Sequence, residues 1–219
     1  MLQHLQELFH ALDLASMGGA ALRVAAIFLC LTIHETCHGL AALALGDPTA
    51  KSMHRLSLNP LRHIDPLGLV LMFAAGFGWA KPVPVDPRYF KNPKQGMAVT
   101  ALAGPVSNFL LAFLAVAVSK VIYLYAPYTS AWDVAFSFFL YTLAPLSLGL
   151  GLFNLLPIPP LDGSKVLGAF LPDHAYFTLM RYERYGMVAL LVLSWLGVGD
   201  GFIGSAIMTV YEAVFNLFF

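Results

Sequence analysis

The chain has 219 residues, of which 59% are hydrophobic and 11% charged, and its 12 lysines and arginines balance its 12 acidic residues. Soluble domains are usually about 45–50% apolar and about 25% charged, so these few charges could not cover a core of this size in water. We therefore expect lipid to cover part of the surface. The zero net charge also argues against a nucleic-acid partner, because nucleic acid requires a concentrated basic surface.

Three apolar stretches are long enough to cross a membrane. They follow residues 1–20, which contain no Lys or Arg and carry leucines at helical spacing, and which predict a short amphipathic lead-in rather than a signal peptide. About 20 helical residues cross the hydrocarbon core of a bilayer. Residues 21–45, 97–126 and 134–156 reach that length, so each is predicted to be a transmembrane helix.

Three further apolar stretches are shorter. Residues 67–80 contain three glycines and are too short to span. They predict a re-entrant or interfacial element between the first two spans, with an apolar loop packed on the bundle as the alternative. Residues 186–198 and 202–219 flank a glycine-rich turn and predict a C-terminal helical hairpin over 186–219. The predicted fold class is an all-α polytopic membrane protein, a bundle of about five to six transmembrane helices.

The basic residues are concentrated in two segments. Ten of the 12 Lys and Arg residues fall within 46–96 and 157–185. Short loops rich in Lys and Arg stay in the cytoplasm, and these two segments share one side if the second and third spans each cross once. The pattern predicts a multi-pass protein of the plasma membrane, with its N-terminus outside and both basic segments inside.

The first span contains the motif H-E-x-x-H, formed by His34, Glu35, Thr36, Cys37 and His38. Histidines four residues apart lie on one helix face, so they can bind one Zn²⁺ while the glutamate acts beside them as a general base. A charged group at this depth costs about 2.5–3.5 kcal/mol or more. Polar residues that only hydrogen-bond between helices are the alternative, but three in register favour a metal site. Cys37 is a disfavoured ligand, because it points away from the two histidines.

A catalytic zinc ion usually has three protein ligands, so another segment must supply the third. Asp162 is the leading candidate, because it follows the charge-free, proline-rich run 154–160 beyond the third span. Irregular backbone at membrane depth is tolerated where it lines a cavity, which a metal site requires. An ordinary helix N-cap is the alternative role for Asp162. Less favoured ligands are Asp65, Asp133, His54 and His63, of which the histidines are expected to be solvated or interfacial.

Several further motifs occur in order between about residue 20 and residue 170. After H-E-x-x-H come Ser57-Leu58-Asn59-Pro60, the tracts 63–68 and 78–85, Ala103-Gly104-Pro105-Val106-Ser107-Asn108, and the tract 154–163. In this combination the chain resembles the site-2 protease family of intramembrane zinc metalloproteases, in a compact form without a PDZ or CBS domain. The resemblance implies a single integral-membrane metalloprotease domain over 1–219, with a catalytic core over about 20–170.

The resemblance also implies roles for individual residues. In that family two histidines and the aspartate of an L-D-G tract bind one zinc ion per chain, and the motif glutamate is the catalytic base. The corresponding residues here are His34, His38, Asp162 and Glu35. Asn108 and Asn154 match family residues that help to position substrate or to stabilise the tetrahedral intermediate.

The implied activity is hydrolysis of peptide bonds in or near the transmembrane segments of other proteins, as in regulated intramembrane proteolysis. A water-filled cleft near the cytoplasmic side must reach the catalytic groups. The family's re-entrant β-like element, which the segment from about Gly68 to Val85 matches, offers a strand edge for an unwound substrate. The expected partners are transmembrane protein substrates and the lipid bilayer. Substrate selection is left to the membrane core or to a separate regulator or adaptor protein.

Two other functions compete with proteolysis. A non-proteolytic membrane metal-binding or metal-transport protein could use the same ligands, but the spans carry almost no other ionisable residues to form a polar path. A scaffold that only binds transmembrane helices would not need Glu35. The sequence therefore favours the zinc endopeptidase.

Overall fold

α-Helices make up most of the part of the chain that the structure describes. The structure is a computed structural model that describes residues 17–68, 70, 79–197 and 200–219. Its named α-helices are α1 (Met17–Ala44), α2 (Thr49–Ser52), α3 (Pro93–Tyr125), α4 (Ser130–Ser137), α5 (Ala144–Asn154), α6 (Asp162–Phe170), α7 (Asp173–Trp195) and α8 (Asp200–Asn216). Short 3₁₀ turns occupy Pro60–Arg62 and Pro87–Tyr89, and the π-helical stretch Phe138–Leu143 joins α4 to α5.

Three helices confirm the three predicted spans. Gly18–Ala44, Pro93–Tyr125 and Ser130–Asn154 are long and apolar enough to cross a membrane. The second begins before its predicted start because Asn92 caps it. The Asn92 side-chain oxygen accepts a hydrogen bond from the Gln95 amide at 3.2 Å, and Pro93 occupies the first turn, where its missing N–H costs nothing.

The core of the bundle lies where α1, α3 and the third span meet. Ala26 on α1 and Ala112 and Ala115 on α3 are almost completely buried. Small side chains allow helix backbones to approach closely within a membrane. Leu140 and Leu148 close this core from the third span. The packing holds α1 and α3 against each other along the faces that carry the motifs.

The outward face of α3 is apolar. Leu110 and Leu114 are 65% and 57% exposed. Water would disfavour such a surface, whereas lipid tails match it. The exposed leucines fit the lipid-covered surface that the composition predicts.

The first of the two C-terminal helices is longer than hydropathy suggested. α7 begins at Asp173 rather than at residue 186, and Arg181 and Glu183 lie within it. Charged side chains interrupt an apolar run, but Arg and Glu are good helix formers, so the helix continues through them. α8 follows after residues 198 and 199, which lie outside the described residues.

Two predicted elements fall largely outside the described residues. The lead-in is described only from residue 17, and the re-entrant element lacks residues 69 and 71–78. At its edges Ile64 and Ala80 form an isolated antiparallel bridge, the only β pairing among the described residues. The Lys81 N–H donates to the His63 carbonyl oxygen at 2.8 Å. The re-entrant element and the total of five to six spans remain predictions.

Candidate metal centre and active site

The two histidines of the motif lie side by side on α1. Because His34 and His38 are one helical turn apart, their ring centroids lie 4.5 Å apart, with the ring planes at 89°. The Nε2 atom of each lies 3.1 Å from Oδ2 of Asp162. All three residues are buried, and one ligand atom from each lies within 4.8 Å of the others. The structure thus brings together the three side chains that the sequence singled out as metal ligands.

Asp162 approaches the histidines from the start of α6. The residues before it contain three prolines, which prevent a regular helix. Leu161 is the N-cap residue of α6, and no side chain caps this helix, so the alternative role of Asp162 as an ordinary N-cap is wrong. Gly163 keeps the turn close to α5, because a Cβ there would lie 2.1 Å from the Leu155 carbonyl oxygen. This close approach directs the Asp162 carboxylate at the histidines.

A hydrogen bond behind the His38 ring sets which nitrogen carries the proton. Nδ1 of His38 lies 2.7 Å from the Thr100 carbonyl oxygen, which can only accept, so Nδ1 is the donor. In the neutral ring Nε2 then presents a lone pair to the carboxylate of Asp162, which is also an acceptor. Two facing acceptors need a shared proton or metal ion, and two histidines with one aspartate form a donor set typical of catalytic zinc.

Asn108 stands behind the other ring. It is completely buried on α3, and its Nδ2 lies 3.2 Å from Nδ1 of His34. Its Oδ1 is buried without a hydrogen-bond partner. A 180° rotation of the amide exchanges the two atoms, and Oδ1 would then accept from an Nδ1–H of His34. That arrangement satisfies the orphaned oxygen and leaves Nε2 of His34 as a ligand, so this site fits a bound metal ion.

Gly104 gives both imidazoles their space. A Cβ at this position would lie 2.5 Å from Nε2 of His38 and 2.7 Å from Cε1 of His34. Both distances are shorter than side-chain carbons tolerate. α3 can therefore pass directly under the two rings only with glycine at residue 104.

Glu35 lies next to the first ligand and is nearly buried. Its Oε2 accepts a hydrogen bond from the Val83 backbone N–H at 2.9 Å. Glu35, the two histidines and Asp162 all line one cavity of about 850 Å³. A cavity of this size can accept a peptide segment together with water.

The two oxygens of the Asp162 carboxylate face different neighbours. Oδ2 lies 3.1 Å from Nε2 of each histidine. Nζ of Lys165, one turn along α6, lies 3.9 Å from its other oxygen, Oδ1. Asp162 therefore turns one oxygen toward the histidines and the other toward a lysine.

Unlike Asn108, Asn154 bonds to the backbone of its own helix. Its Nδ2 donates to the Leu150 carbonyl oxygen at 2.9 Å, one turn earlier in α5. The residue is half-buried and lines the same cavity as Glu35. Its position is next to the space that a substrate would occupy.

The less favoured ligands are not part of the cluster. Within the described ranges, the metal-ligating group leaves out Asp65, Asp133, His54, His63 and Cys37. The expectation that both extra histidines are solvated or interfacial is wrong for His63, which is only 2% exposed. Its Nε2 donates to the Ser57 carbonyl oxygen at 2.7 Å, which offsets part of the cost of burying the ring. His54 is exposed, as expected.

Sequence reasoning missed the backbone groups of the site. The Thr100 carbonyl and the Val83 N–H bond to His38 and Glu35, but every residue has such groups, so the sequence carries no signal for them. Gly104 could have been found, since a glycine inside an apolar helix often marks a close approach.

Comparisons with known proteins agree with this geometry. The chain matches the family model described as Peptidase family M50 over residues 22–195. It is 36% identical over 200 residues to the Bacillus subtilis protein named "Putative zinc metalloprotease YwhC", covering 89% of this chain and 90% of that protein. It is 31% identical over 186 residues to the Mycobacterium tuberculosis protein named "Putative zinc metalloprotease Rip2", covering 82% of this chain and 69% of that protein.

A third relative is archaeal. The chain is 35% identical over 147 residues to the Methanocaldococcus jannaschii protein named "Zinc metalloprotease MJ0392", covering 66% of this chain and 33% of that protein. No solved structure matches the chain significantly.

Proposed function

The chain belongs to peptidase family M50 and is an intramembrane zinc metalloprotease; we propose that it hydrolyses peptide bonds in or near the transmembrane segments of other membrane proteins. Three apolar helices give its core a lipid environment, so its substrates are membrane proteins. We further propose one domain over 1–219, with the catalytic core over about 20–170 and α7 and α8 as its C-terminal helical pair. A separate regulator or adaptor remains a prediction.

One observation carries this proposal. The ligand atoms of His34, His38 and Asp162 converge beside Glu35 in a cavity between apolar helices. We propose that the first three side chains hold one zinc ion per chain. When bound, zinc supplies Lewis-acid activation of a scissile carbonyl and of water near neutral pH.

The protein's own groups would then move the proton and hold the geometry. Glu35 accepts a proton from the attacking water and returns it to the leaving amine. The Thr100 carbonyl and Asn108 orient the two imidazoles from behind. Asn154, which lines the cavity, positions the substrate.

Substrate must be unwound before its carbonyls can react, because a helix hides them in its own hydrogen bonds. We propose that part of the element from about Gly68 to Val85 pairs with the extended substrate segment. Residues 81–83 are less suited to this pairing, because their backbone bonds to His63, Arg55 and Glu35. The pairing edge is therefore assigned to the residues before Lys81.

We propose that the chain lies in the plasma membrane with its N-terminus outside and its active site nearer the cytoplasm. The support is the concentration of Lys and Arg in 46–96 and 157–185. A cysteine at Ser52 should react with a membrane-impermeant maleimide only from the cytoplasmic side, and one at Ser130 only from outside. The opposite pattern of labelling would reverse the orientation.

The test of the function is the variant Glu35→Gln. Membrane-protein fragments from cells with active and variant enzyme are compared by proteomics, and a substrate found in this way is reconstituted with full-length enzyme in vesicles. We expect the variant to keep its zinc and to lose cleavage, because Gln cannot accept the proton. Cleavage at the wild-type rate would show that Glu35 is not the catalytic base.

The same vesicles separate proteolysis from metal transport. A transporter would move zinc across the vesicle membrane whether or not substrate is cut. We expect cleavage without zinc flux, since the three spans hold few ionisable residues besides those of this cluster. Zinc flux in the absence of cleavage would support the alternative.

A further inference from the structure

The geometry points to Arg55 as a positioning residue for Glu35, acting through the backbone of Lys81–Val83. This inference rests on the proposed role of Glu35 as general base. Arg55 enters the sequence pattern only as one of ten cations in the two basic segments. In the structure it is half-buried, and its guanidinium bonds to the segment that contacts Glu35.

The Arg55 guanidinium holds two consecutive carbonyl groups. Its Nη2 donates to the Lys81 carbonyl oxygen at 2.9 Å and to the Pro82 carbonyl oxygen at 3.3 Å. The next residue, Val83, donates its N–H to Oε2 of Glu35 at 2.9 Å. A continuous set of hydrogen bonds therefore runs from Arg55 through two peptide groups to the proposed base.

The segment is fixed from its other sides as well. The Lys81 N–H donates to the His63 carbonyl oxygen at 2.8 Å. Val83 packs on α1 at Gly39, the residue after the second motif histidine, where a Cβ would lie 3.1 Å from Cγ1 of Val83. Proline at residues 82 and 84 restricts the backbone further. Of these restraints, Arg55 is the side chain that engages the carbonyls.

The backbone that presents Arg55 is itself held in an unusual conformation. His54 has a positive φ of 54°, which residues with a Cβ rarely adopt. Its carbonyl oxygen accepts from the guanidinium of Arg62, and the Arg55 N–H donates to the Ala50 carbonyl oxygen at 2.8 Å. A strained residue persists when its surroundings over-determine it, and such residues cluster at functional sites.

The consequence for catalysis lies in the placement of one carboxylate. Val83 fixes Oε2 of Glu35, so the position of Val83 determines the direction from which Glu35 meets a reacting water. Misplacing a reacting group by about 1 Å can cost about 100-fold in rate. Loss of Arg55 should relax Lys81–Val83 and lower the rate of the chemical step, with the zinc ligands intact.

The experiment compares full-length Arg55→Gln and Arg55→Lys with the wild type and with Arg88→Gln. Arg88 is a matched control, because it lies in the same basic segment but bonds to Asp86 on the surface. The first readout is hydrogen exchange at residues 81–84, where only Lys81 and Val83 carry an amide hydrogen. The second comprises kcat, KM and zinc content, measured with a transmembrane peptide taken from a substrate found in the proteomic comparison.

We expect Arg55→Gln to exchange the Val83 amide faster and to lower kcat by about 10- to 100-fold, with KM and zinc content unchanged. Arg55→Lys should give an exchange rate and a kcat between those of the wild type and Arg55→Gln, because one ammonium group replaces the planar guanidinium. Arg88→Gln should match the wild type in every readout. If Arg55→Gln does not fold, Arg55→Lys carries the same test.

Wild-type exchange and kcat in the folded Arg55 variants would overturn the inference, as would loss of zinc in parallel with kcat, because that would indicate a general structural role. The exchange readout does not depend on which residue is the base. An active Glu35→Gln enzyme with fast Val83 exchange in Arg55→Gln would therefore reject the proposed base while retaining the contact between Arg55 and the segment.

Discussion

Asn108 illustrates how a single buried side chain constrains the metal site. It contacts Nδ1 of His34, whereas Nε2 of the same ring faces Asp162. Its amide oxygen is buried without a hydrogen-bond partner. Residues behind a ligating histidine fix its tautomer and its orientation. At the residue scale, we therefore propose that Asn108 supports the His34 ring, whereas Asn154 lines the cavity.

Substitutions of Asn108 and Asn154 should therefore have different effects. We expect Asn108→Ala to weaken zinc binding by about 10- to 100-fold, because His34 loses the group behind it. Asn108→Asp should bind zinc nearly as well as the wild type, since a carboxylate can accept from Nδ1–H. Zinc competition against a chelator measures both.

Ser107→Ala serves as the matched control, because Ser107 is buried on the same helix and its hydroxyl donates to the Gly104 carbonyl oxygen rather than to a histidine. Asn154→Ala should keep its zinc and raise KM. If Asn108→Ala bound zinc as tightly as the control and only raised KM, Asn108 would instead act on the substrate.

At the scale of elements, α7 contacts the proline-rich turn over residues 157–160. Gly186 on α7 packs directly on this turn, since a Cβ there would lie 1.9 Å from the Pro159 carbonyl oxygen. The same turn leads within a few residues to Asp162. Contact between α7 and the turn therefore bears on the position of Asp162, the proposed third ligand.

We expect Gly186→Ala to lower both thermal stability and zinc content. Overpacking costs about 1–3 kcal/mol, and the turn can relieve the clash only by moving away from α7. The measurements are the melting temperature in detergent and the zinc bound per chain. Gly201→Ala on α8 is the control, because none of the described residues lies within 4 Å of the Cβ that the alanine would add. A Gly186→Ala protein with wild-type values in both would show that α7 does not constrain the turn.

Local patterns explain why much of the site could be predicted from the sequence. The two histidines meet because they are one helical turn apart, and that spacing is written in the chain. Asp162 could be named as a candidate because the prolines before it exclude a helix. The cap at Asn92 was readable too, but hydropathy alone placed the start of α3 at residue 97.

Other features depend on how distant segments meet. His63 is buried, and Arg55 reaches two carbonyl groups, because the irregular segments around them fold together; neither the spacing nor the residue type encodes this. Hydropathy placed the start of α7 too late, because charged residues end an apolar run but do not have to end a helix.

At the scale of the whole molecule, the site joins parts of the chain that lie far apart. His34 and Asp162 are 128 residues apart in the sequence, and α3 supplies both supports behind the imidazoles. A metal ion bound there would tie α1 to α6 and stabilise the folded state, since a ligand that prefers the native state does so by mass action. The composition gives the reason for this arrangement. The three spans contain few charged residues, so the charged groups of the site can be paired only with one another.

The most direct test of this account is the zinc content of purified full-length protein in three forms. We expect one zinc ion per chain in the wild type, none in Asp162→Ala, and one in Asp65→Ala, which removes a carboxylate from the same cavity. The difference follows because Asp162, and not Asp65, contacts both histidines in the described part of the chain. Full zinc content in Asp162→Ala, or equal loss in the two variants, would contradict the proposed metal centre.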